Sequence, residues 1–175
     1  ADIYSLPFAD GSFDHVFVCF VLEHLPDPGL ALTLLRRVLA PGGTITVIEG
    51  DHGSAFFHPD SRAAGRTIAC LIALQREKGG NPLIGREVYP LLSGAGYREV
   101  FVSPRMVYVD ATHPDLVEGF TKNTFTAMVE GVREEVLERT MIGAEEWEQG
   151  IRDLYRTCEP DGTFCYTFFK GTGVK

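Results

Sequence analysis

The sequence predicts an α/β protein, in which short apolar strands alternate with helices. Residues 14–20 (DHVFVCF) and 44–49 (TITVIE) are short, mostly apolar and rich in β-branched and aromatic side chains, which is typical of strands buried on both faces of a parallel sheet. Between them, apolar residues recur with the spacing of one helix face. A strand–helix–strand unit of this length predicts two parallel strands joined by a right-handed crossover.

The helix between these two strands has recognisable start and stop signals. Asp27 is the expected N-cap and Pro28 occupies the first turn, where a missing N–H does no harm. Arg36 and Arg37 place positive charge in the last turn, which complements the helix dipole. Residues 41–43 (PGG) then end the helix and lead into the second strand.

The rest of the chain continues the alternation of helices and strands. We expect a loop at 50–60, followed by a helix that is capped by Asp60 or Ser61 and runs to about Lys78. The further predicted elements are a short helix at 86–92, a strand at 97–109 bent at Pro104, helical residues 113–140 with breaks at Gly119 and Gly131, a helix at 144–158 and a last strand at 163–169. The tight turn at residues 159–162 is consistent with an antiparallel last strand.

Composition narrows the classes of function. The chain has 175 residues, of which 45% are hydrophobic, enough for one domain with a sizeable core. Sixteen basic and 24 acidic residues give 16 − 24 = −8, which disfavours nucleic-acid and anionic membrane partners. The longest apolar stretch, 16–22, is too short to cross a bilayer, and with no secretory leader visible we expect a cytoplasmic protein. Four scattered cysteines predict reduced thiols, with neither a zinc site nor a disulfide framework.

Four short motifs follow one another within the first 43 residues. They are Asp2-Ile3 with Leu6-Pro7-Phe8, then Ser12-Phe13-Asp14, then residues 21–28 (VLEHLPDP), then residues 37–43 (RVLAPGG). In these motifs and their spacing the chain resembles the class I S-adenosylmethionine (SAM)-dependent methyltransferases, especially the small-molecule group related to the ubiquinone and menaquinone methyltransferases. The resemblance is close over residues 1–50, looser over 85–102 and faint over 110–160.

This resemblance implies a Rossmann-like sheet with the strand order 4-5-7-6 and an antiparallel last strand. Residues 14–20 would form the fourth strand, 44–49 the fifth, 97–109 the sixth and 163–169 the seventh. Residues 1–175 would form a single partial domain, with 51–92 and 110–158 as helical insertions that cap the substrate side. The family's glycine-rich SAM loop has no counterpart in the sequence, so we expect the C-terminal part of a methyltransferase.

The resemblance also implies SAM as cofactor. Asp2 and the Ile3 backbone N–H would contact the edge of the adenine, whereas a solvated Asp2 is the alternative. Cys19 and Phe20, at the carboxyl end of the fourth strand, would lie beside the cofactor, and ordinary core packing is the alternative. Metal-dependent relatives have Glu-x-x-Glu-His here; because Phe20 replaces the first carboxylate, we expect no metal.

Four polar residues are candidates for the chemistry. His24 and His52 could accept a proton from the methyl acceptor, because imidazole titrates near neutral pH. Asp51 could contact the acceptor or simply make a turn. Arg86 could bind a substrate carboxylate, although a helix cap or an ion pair with Glu87 is the stronger alternative from sequence.

Two functions follow from these observations. The first is methyl transfer from SAM to an O, N or C atom of a small molecule, with alignment of the reactants as the main source of catalysis. The alternative is a non-catalytic, methyltransferase-like fragment that acts as an oligomerisation or partner-binding module. The strand at 14–20 has no Lys or Pro to protect an exposed edge, so we expect a homo-oligomer or a missing N-terminal half as partner.

Overall fold

The structure is a computed structural model that describes residues 2–175, and it contains a four-stranded sheet. The strands are β1 (Phe13–Cys19), β2 (Leu39–His58), β3 (Arg98–Val109) and β4 (Thr163–Val174), in the order β1-β2-β4-β3. β1 and β2 pair in parallel. The strand–helix–strand unit and the order 4-5-7-6 are therefore confirmed.

β4 is antiparallel to β2, as two hydrogen bonds show. Near one end, the N–H of Lys175 donates to the carbonyl of Gly43 at 2.9 Å. Further along, the N–H of Thr167 donates to the hydroxyl of Ser54, also at 2.9 Å. Residue numbers thus rise along β2 as they fall along β4, which confirms the predicted direction of the last strand.

The helices follow in chain order. They are a 3₁₀ turn (Leu22–His24), α1 (Pro28–Val38), α2 (Arg62–Glu77), a 3₁₀ turn (Ile84–Glu87), α3 (Val88–Gly94), α4 (Pro114–Leu116), a π-helix (Val117–Thr126), α5 (Ala127–Glu130), α6 (Arg133–Glu138) and α7 (Ala144–Arg156). Asp27 caps α1 by accepting from Leu30 N–H at 2.8 Å, and Ser61 caps α2 by accepting from Ala64 N–H at 3.1 Å. No helix between residues 2 and 175 is long and apolar enough to cross a bilayer.

The chain divides into two compact units. The first comprises the chain up to Asp51, Gly79–Arg105 and Phe168–Lys175, and the second comprises His52–Lys78 and Met106–Thr167. In the first unit, buried side chains of β1 and β2 pack with those of α1 and α3. In the second unit, α2 packs along α7, which carries the fully buried Trp147. That residues 51–92 and 110–158 are insertions over a substrate stays a prediction.

β1 is less buried than the sequence predicts. Val18 is its one buried residue, whereas Phe17 is 60% exposed, so the expectation of burial on both faces is wrong. Val16 and Val18 point into the core between the sheet and α1, and they pair with Ile45 and Val47 of β2. The alternate side chains of β1 lie on the opposite face, which residues 2–175 leave largely exposed.

The predicted loop at 50–60 is wrong, because β2 continues to His58. Gly, Asp, His and Ser are poor strand formers, but the antiparallel partner β4 extends the ladder through this stretch. β4 itself continues past the predicted end at 169, to Val174. Its Gly171 lies so close to α3 that an added Cβ would be 2.4 Å from Val88 Cγ1, so the absence of a side chain permits this packing.

The predicted break at Gly119 is also wrong. A π-helix runs from Val117 to Thr126 straight through this glycine. The predicted break at Gly131 is present, since α5 ends at Glu130 and α6 begins at Arg133. The wider turns of the π-helix accommodate Gly119 without a break in the helix.

Candidate active site

The candidate site lies where β1 ends beside residues 48–51 in the middle of β2, and these residues all belong to the first unit. Cys19 pairs with Ile48, and the N–H of Phe20 donates to the carbonyl of Ile48 at 3.0 Å. Phe20 has a φ of +54°, in the left-handed region, and its side chain is partly exposed. The chain therefore leaves the sheet sharply at Phe20, at the edge where open α/β sheets bind ligands.

Glu49 holds the turn that follows β1. Its carboxylate is fully buried, and Oε1 accepts hydrogen bonds from Val21 N–H at 3.1 Å and Leu22 N–H at 2.9 Å. These two N–H groups open the 3₁₀ turn Leu22–His24 and have no partner within it. Glu49 thus caps the turn from the neighbouring strand.

Burial dominates the electrostatics of this turn. It raises the pKa of Glu49, opposed by the N–H groups of Leu22 and Val21 and reinforced by the nearby Glu23. It also raises the pKa of Glu23. Burial, with a smaller contribution from the Glu49 carboxylate, raises the pKa of the Cys19 thiol. Cys19 therefore stays a thiol at neutral pH and is no nucleophile, as expected for a packing residue.

Asp51 and Arg86, the two candidate acceptor contacts, form an ion pair. Arg86 Nε and Nη2 donate to the two carboxylate oxygens of Asp51 at 2.8 and 2.7 Å. The Asp51 side chain is 5% exposed and the Arg86 side chain 49% exposed. The alternative pairing of Arg86 with Glu87 is wrong, because Glu87 accepts instead from the Asn81 side chain at 2.9 Å.

The segment Asn81–Glu87 is held against the turn after β1 and against the middle of β2, within the first unit. The N–H of Asn81 donates to the carbonyl of Glu23 at 2.8 Å. Gly85 lies so close to Gly50 that an added Cβ would be 2.8 Å from the Gly50 carbonyl oxygen. This close contact holds the segment against β2 beside the Asp51–Arg86 pair.

The two candidate catalytic histidines differ in environment and belong to different units. His24 lies on the turn after β1; its side chain is 65% exposed and its Nε2 is 3.2 Å from a carboxylate oxygen of Glu23. His52 lies in the second unit, is 5% exposed, and its Nδ1 is 2.7 Å from the Tyr166 hydroxyl. His52 is therefore a buried strand residue and not the loop residue that the sequence predicts.

His52 also lines a cavity of ≈ 300 Å³ in the second unit. The lining is mainly apolar and includes Phe56, Phe57 and Ile68, with Ser61 among its few polar groups. The ring of Phe125 meets His52 edge-on, with 6.2 Å between the ring centroids. A mainly apolar cavity with few polar groups is typical of a small-molecule pocket.

Asp2 and Ile3 precede β1 on an exposed turn. Asp2 is exposed, and its Oδ1 accepts from Tyr4 N–H at 2.9 Å. The Tyr4 hydroxyl in turn donates to the Asp27 carbonyl and accepts from the Asp27 N–H, both at 3.1 Å. The turn is thus tied to the start of α1, and Ile3 packs against the core of the first unit.

Three residues of this region were missed in the sequence. Glu49 could have been found, because a carboxylate at the end of an apolar strand must be paired or neutral when buried. Asn81 and Tyr166 gave no local signal, since their contacts with Glu23 and His52 span 58 and 114 residues of sequence.

Residues 1–47 match the family model described as a methyltransferase domain. A demethylmenaquinone methyltransferase of Staphylococcus haemolyticus is 48% identical over 48 residues, which cover 27% of this chain and 20% of that protein. The resemblance to the class I SAM-dependent methyltransferases is confirmed. The matched residues contain β1, α1 and the first nine of the twenty residues of β2, so the methyltransferase signal covers Cys19, Phe20 and His24 of the candidate site.

Two other comparisons cover more of the chain. An uncharacterised 37.1 kDa protein in transposon Tn4556 of Streptomyces fradiae is 38% identical over 135 residues, 74% of this chain and 37% of that protein. The structure of a SAM-dependent methyltransferase from Thermotoga maritima covers 100% of this chain with a TM-score of 0.52, at 16% identity and over 62% of its own chain, and supports the fold alone. The chain spans little more than a third of the curated relatives' length, or less.

Proposed function

We propose that the protein containing this chain transfers a methyl group from SAM to a small-molecule acceptor at an O, N or C atom. One observation carries the proposal: the residues that match the methyltransferase family model build β1, α1 and the first nine residues of β2. The end of β1 brings Cys19 and Phe20 next to Glu49 of β2, at the edge where ligands bind in open α/β sheets. The similar proteins do not identify the methyl acceptor, because the chain spans only part of their length.

The described residues fit an adenosyl cofactor in their donors and acceptors. Asp2 offers an exposed carboxylate that is followed directly by a backbone N–H, the acceptor-and-donor pair that an adenine edge requires. Phe20 offers a partly exposed aromatic ring at the strand end. In the proposed site, Asp2 and Ile3 would hold the adenine, and Cys19 and Phe20 would lie beside the rest of the cofactor. SAM, when bound, supplies an electrophilic methyl group.

The chain's own contribution would be orientation and proton transfer. His24 is exposed and would accept a proton from an acceptor hydroxyl or amine, with the Glu23 carboxylate beside it to stabilise the resulting imidazolium. His52, which is hydrogen-bonded to Tyr166, is the second candidate base and lines the apolar cavity of its own unit. Arg86, which is half-exposed, would contact polar groups of the acceptor, and the buried Asp51 would act through Arg86 by fixing the position of its guanidinium.

The experiment is a titration of the 15N-labelled 175-residue chain with S-adenosylhomocysteine, followed by amide chemical shifts. We expect a dissociation constant of about 0.1 mM or weaker, near −5.5 kcal/mol, because the chain holds no glycine-rich SAM loop. The shifts should concentrate at Ile3, Cys19 and Phe20. Asp2→Ala should weaken binding several-fold, whereas Asp10→Ala, which removes an exposed aspartate from the same segment, should not.

Methyl transfer itself is tested with labelled SAM, a panel of small hydroxyl, amine and carbon-acid acceptors, and the longest form of the protein that contains this chain. Transfer to at least one acceptor is the expected result. No shift at the strand ends at saturating S-adenosylhomocysteine, together with no transfer, would refute the proposal.

A partner-binding module is the second candidate function. It is favoured by the exposed aromatic side chains of the first unit, where Phe17 is 60% and Phe101 67% exposed. The same titration separates the two functions, because a module without cofactor chemistry would show no shifts at Asp2, Ile3 and Phe20.

A further inference from the structure

The described residues include a buried carboxylate, that of Glu49, whose role the methyltransferase proposal does not explain. Glu49 is 0% exposed, and its Oε2 has no hydrogen-bond partner among residues 2–175. Its Oε1 accepts from two N–H groups of the turn after β1. Burying a carboxylate is unfavourable unless its interactions offset the loss of hydration, so the position of Glu49 needs an explanation.

Three features show what the carboxylate does to the backbone. Phe20 is still bonded to Ile48 through its N–H, yet its φ is +54°, which side-chain-bearing residues rarely adopt. The next two N–H groups, of Val21 and Leu22, point to Glu49 and not along the sheet. Leu22 is fully buried in the core of the first unit and anchors the far end of the turn. Glu49 therefore fixes the turn between an anchored strand and an anchored side chain.

The charged surroundings exclude an ordinary ion pair as the explanation. The titratable groups that act on Glu49 or respond to it are Glu23 on the turn and Cys19 on β1, and neither can be a cation. In the part of the chain that the structure describes, Glu49 forms no salt bridge. Its stabilising contacts are the backbone N–H groups of the turn.

We propose that Glu49 is a positioning residue: by capping Val21 and Leu22 it holds the Phe20 backbone and the His24 turn in the conformation that receives the cofactor. The inference rests on the proposed SAM-dependent function. It assigns Glu49 no contact with the reacting atoms. Its effect reaches the site through the backbone that carries Cys19, Phe20 and His24.

The test compares three variants by amide hydrogen exchange and by titration with S-adenosylhomocysteine. Glu49→Gln keeps an oxygen acceptor of the same shape, whereas Glu49→Leu keeps the volume and removes the acceptor. Val47→Ala is the matched control, because it lowers stability from a buried position two residues away on β2 and leaves the acceptor intact.

In Glu49→Leu we expect exchange of the Val21 and Leu22 amides to accelerate about tenfold or more relative to Val47→Ala, because a part-buried donor and a buried donor lose their acceptor. Glu49→Gln should retain the wild-type protection. The affinity for S-adenosylhomocysteine should fall about tenfold or more in Glu49→Leu and stay within about twofold in Glu49→Gln and Val47→Ala. Equal protection and equal affinity in Glu49→Leu and Val47→Ala would overturn the proposal.

Two further readings keep the outcome decisive. If Glu49→Leu does not fold, a pH titration of the wild-type chain replaces it. The amide chemical shifts of Val21 and Leu22 should then change with the same midpoint as the chemical shift of the Glu49 side-chain carboxyl carbon, and amide shifts that do not change with it would overturn the proposal. Should the wild-type chain show no response to S-adenosylhomocysteine, the cofactor proposal fails by itself. The exchange measurement then still decides whether Glu49 holds the turn.

Discussion

Gly150→Ala should destabilise the second unit, although the same exchange in a helix interior usually stabilises. Gly150 lies inside α7, and an added Cβ would be 2.4 Å from Thr67 Cγ2 and 2.7 Å from the carbonyl oxygen of Ala63, both on α2. Real Cβ atoms essentially never approach this closely. The Ala63 carbonyl is helix backbone and cannot move without shifting α2.

The magnitude follows from two opposing effects. Alanine is favoured over glycine in a helix interior by about 1 kcal/mol. Overpacking of a close contact is unfavourable by about 1–3 kcal/mol, and the upper end applies where backbone must move. Thr67 is fully buried and its hydroxyl donates to the Ala64 carbonyl at 2.8 Å, so it cannot swing aside freely. We expect a net loss of about 2 kcal/mol in the free energy of unfolding.

Urea unfolding followed by tryptophan fluorescence measures this loss directly. Trp147, the one tryptophan of the chain, is fully buried on α7 and reports the second unit. Gly65→Ala is the matched control: this residue lies inside α2 with nothing within 4 Å of an added Cβ, and it should stabilise by about 0.5–1 kcal/mol. If Gly150→Ala raised the urea midpoint as Gly65→Ala does, the close packing of α2 on α7 would be refuted.

Three further outcomes are expected. Because burial raises the pKa of Glu49, the folded chain keeps the Glu49 proton to higher pH than the unfolded chain. This protonation contributes to stability below the ordinary pKa of 4.5, and the contribution is lost as pH rises through the pKa of the folded chain. Glu49→Gln should therefore flatten that part of a plot of urea midpoint against pH. Arg86→Ala should lower the free energy of unfolding more than Asp51→Ala, by about 1 kcal/mol or more, because Arg86→Ala leaves the Asp51 carboxylate buried whereas Asp51→Ala leaves a half-exposed guanidinium in contact with water. Urea unfolding measures both losses, and equal losses would contradict this prediction. The chain should self-associate through the edge of β1, and light scattering should show that Phe17→Lys shifts the assembly toward the 19.3 kDa monomer. A wild-type chain that is itself a monomer would contradict this prediction.

The local parts of the fold were predictable because their signals are local. The β1–α1–β2 unit follows from two apolar runs, the Asp27 cap and the arginines of the last turn, and these signals agree with one another. The extension of β2 through residues 50–58 was not predictable in this way. Gly50, Asp51 and Gly53 disfavour strands, and the antiparallel pairing with β4 comes from residues more than a hundred positions away.

The candidate site shows the same division. Cys19 and Phe20 were found because the carboxyl end of a predicted strand is a defined place in an α/β sheet. The pairing of Asp51 with Arg86 was missed because 35 residues separate them and Glu87 is adjacent in sequence. The close approach of Gly85 to Gly50 brings Arg86 next to Asp51, and no pattern in the sequence predicts that contact.

The charges around the end of β1 and the adjoining residues of β2 influence which ligand the site favours. Glu23, Glu49 and Asp51 are three carboxylates, and the Arg86 guanidinium is paired with one of them. With His24 neutral, the formal charge of these groups is −3 + 1 = −2. Where burial keeps Glu23 or Glu49 protonated, the charge becomes less negative, but no cation is released, since Arg86 stays with Asp51. Such a site repels phosphate-bearing ligands and favours one that carries a positive group, as the sulfonium of SAM does.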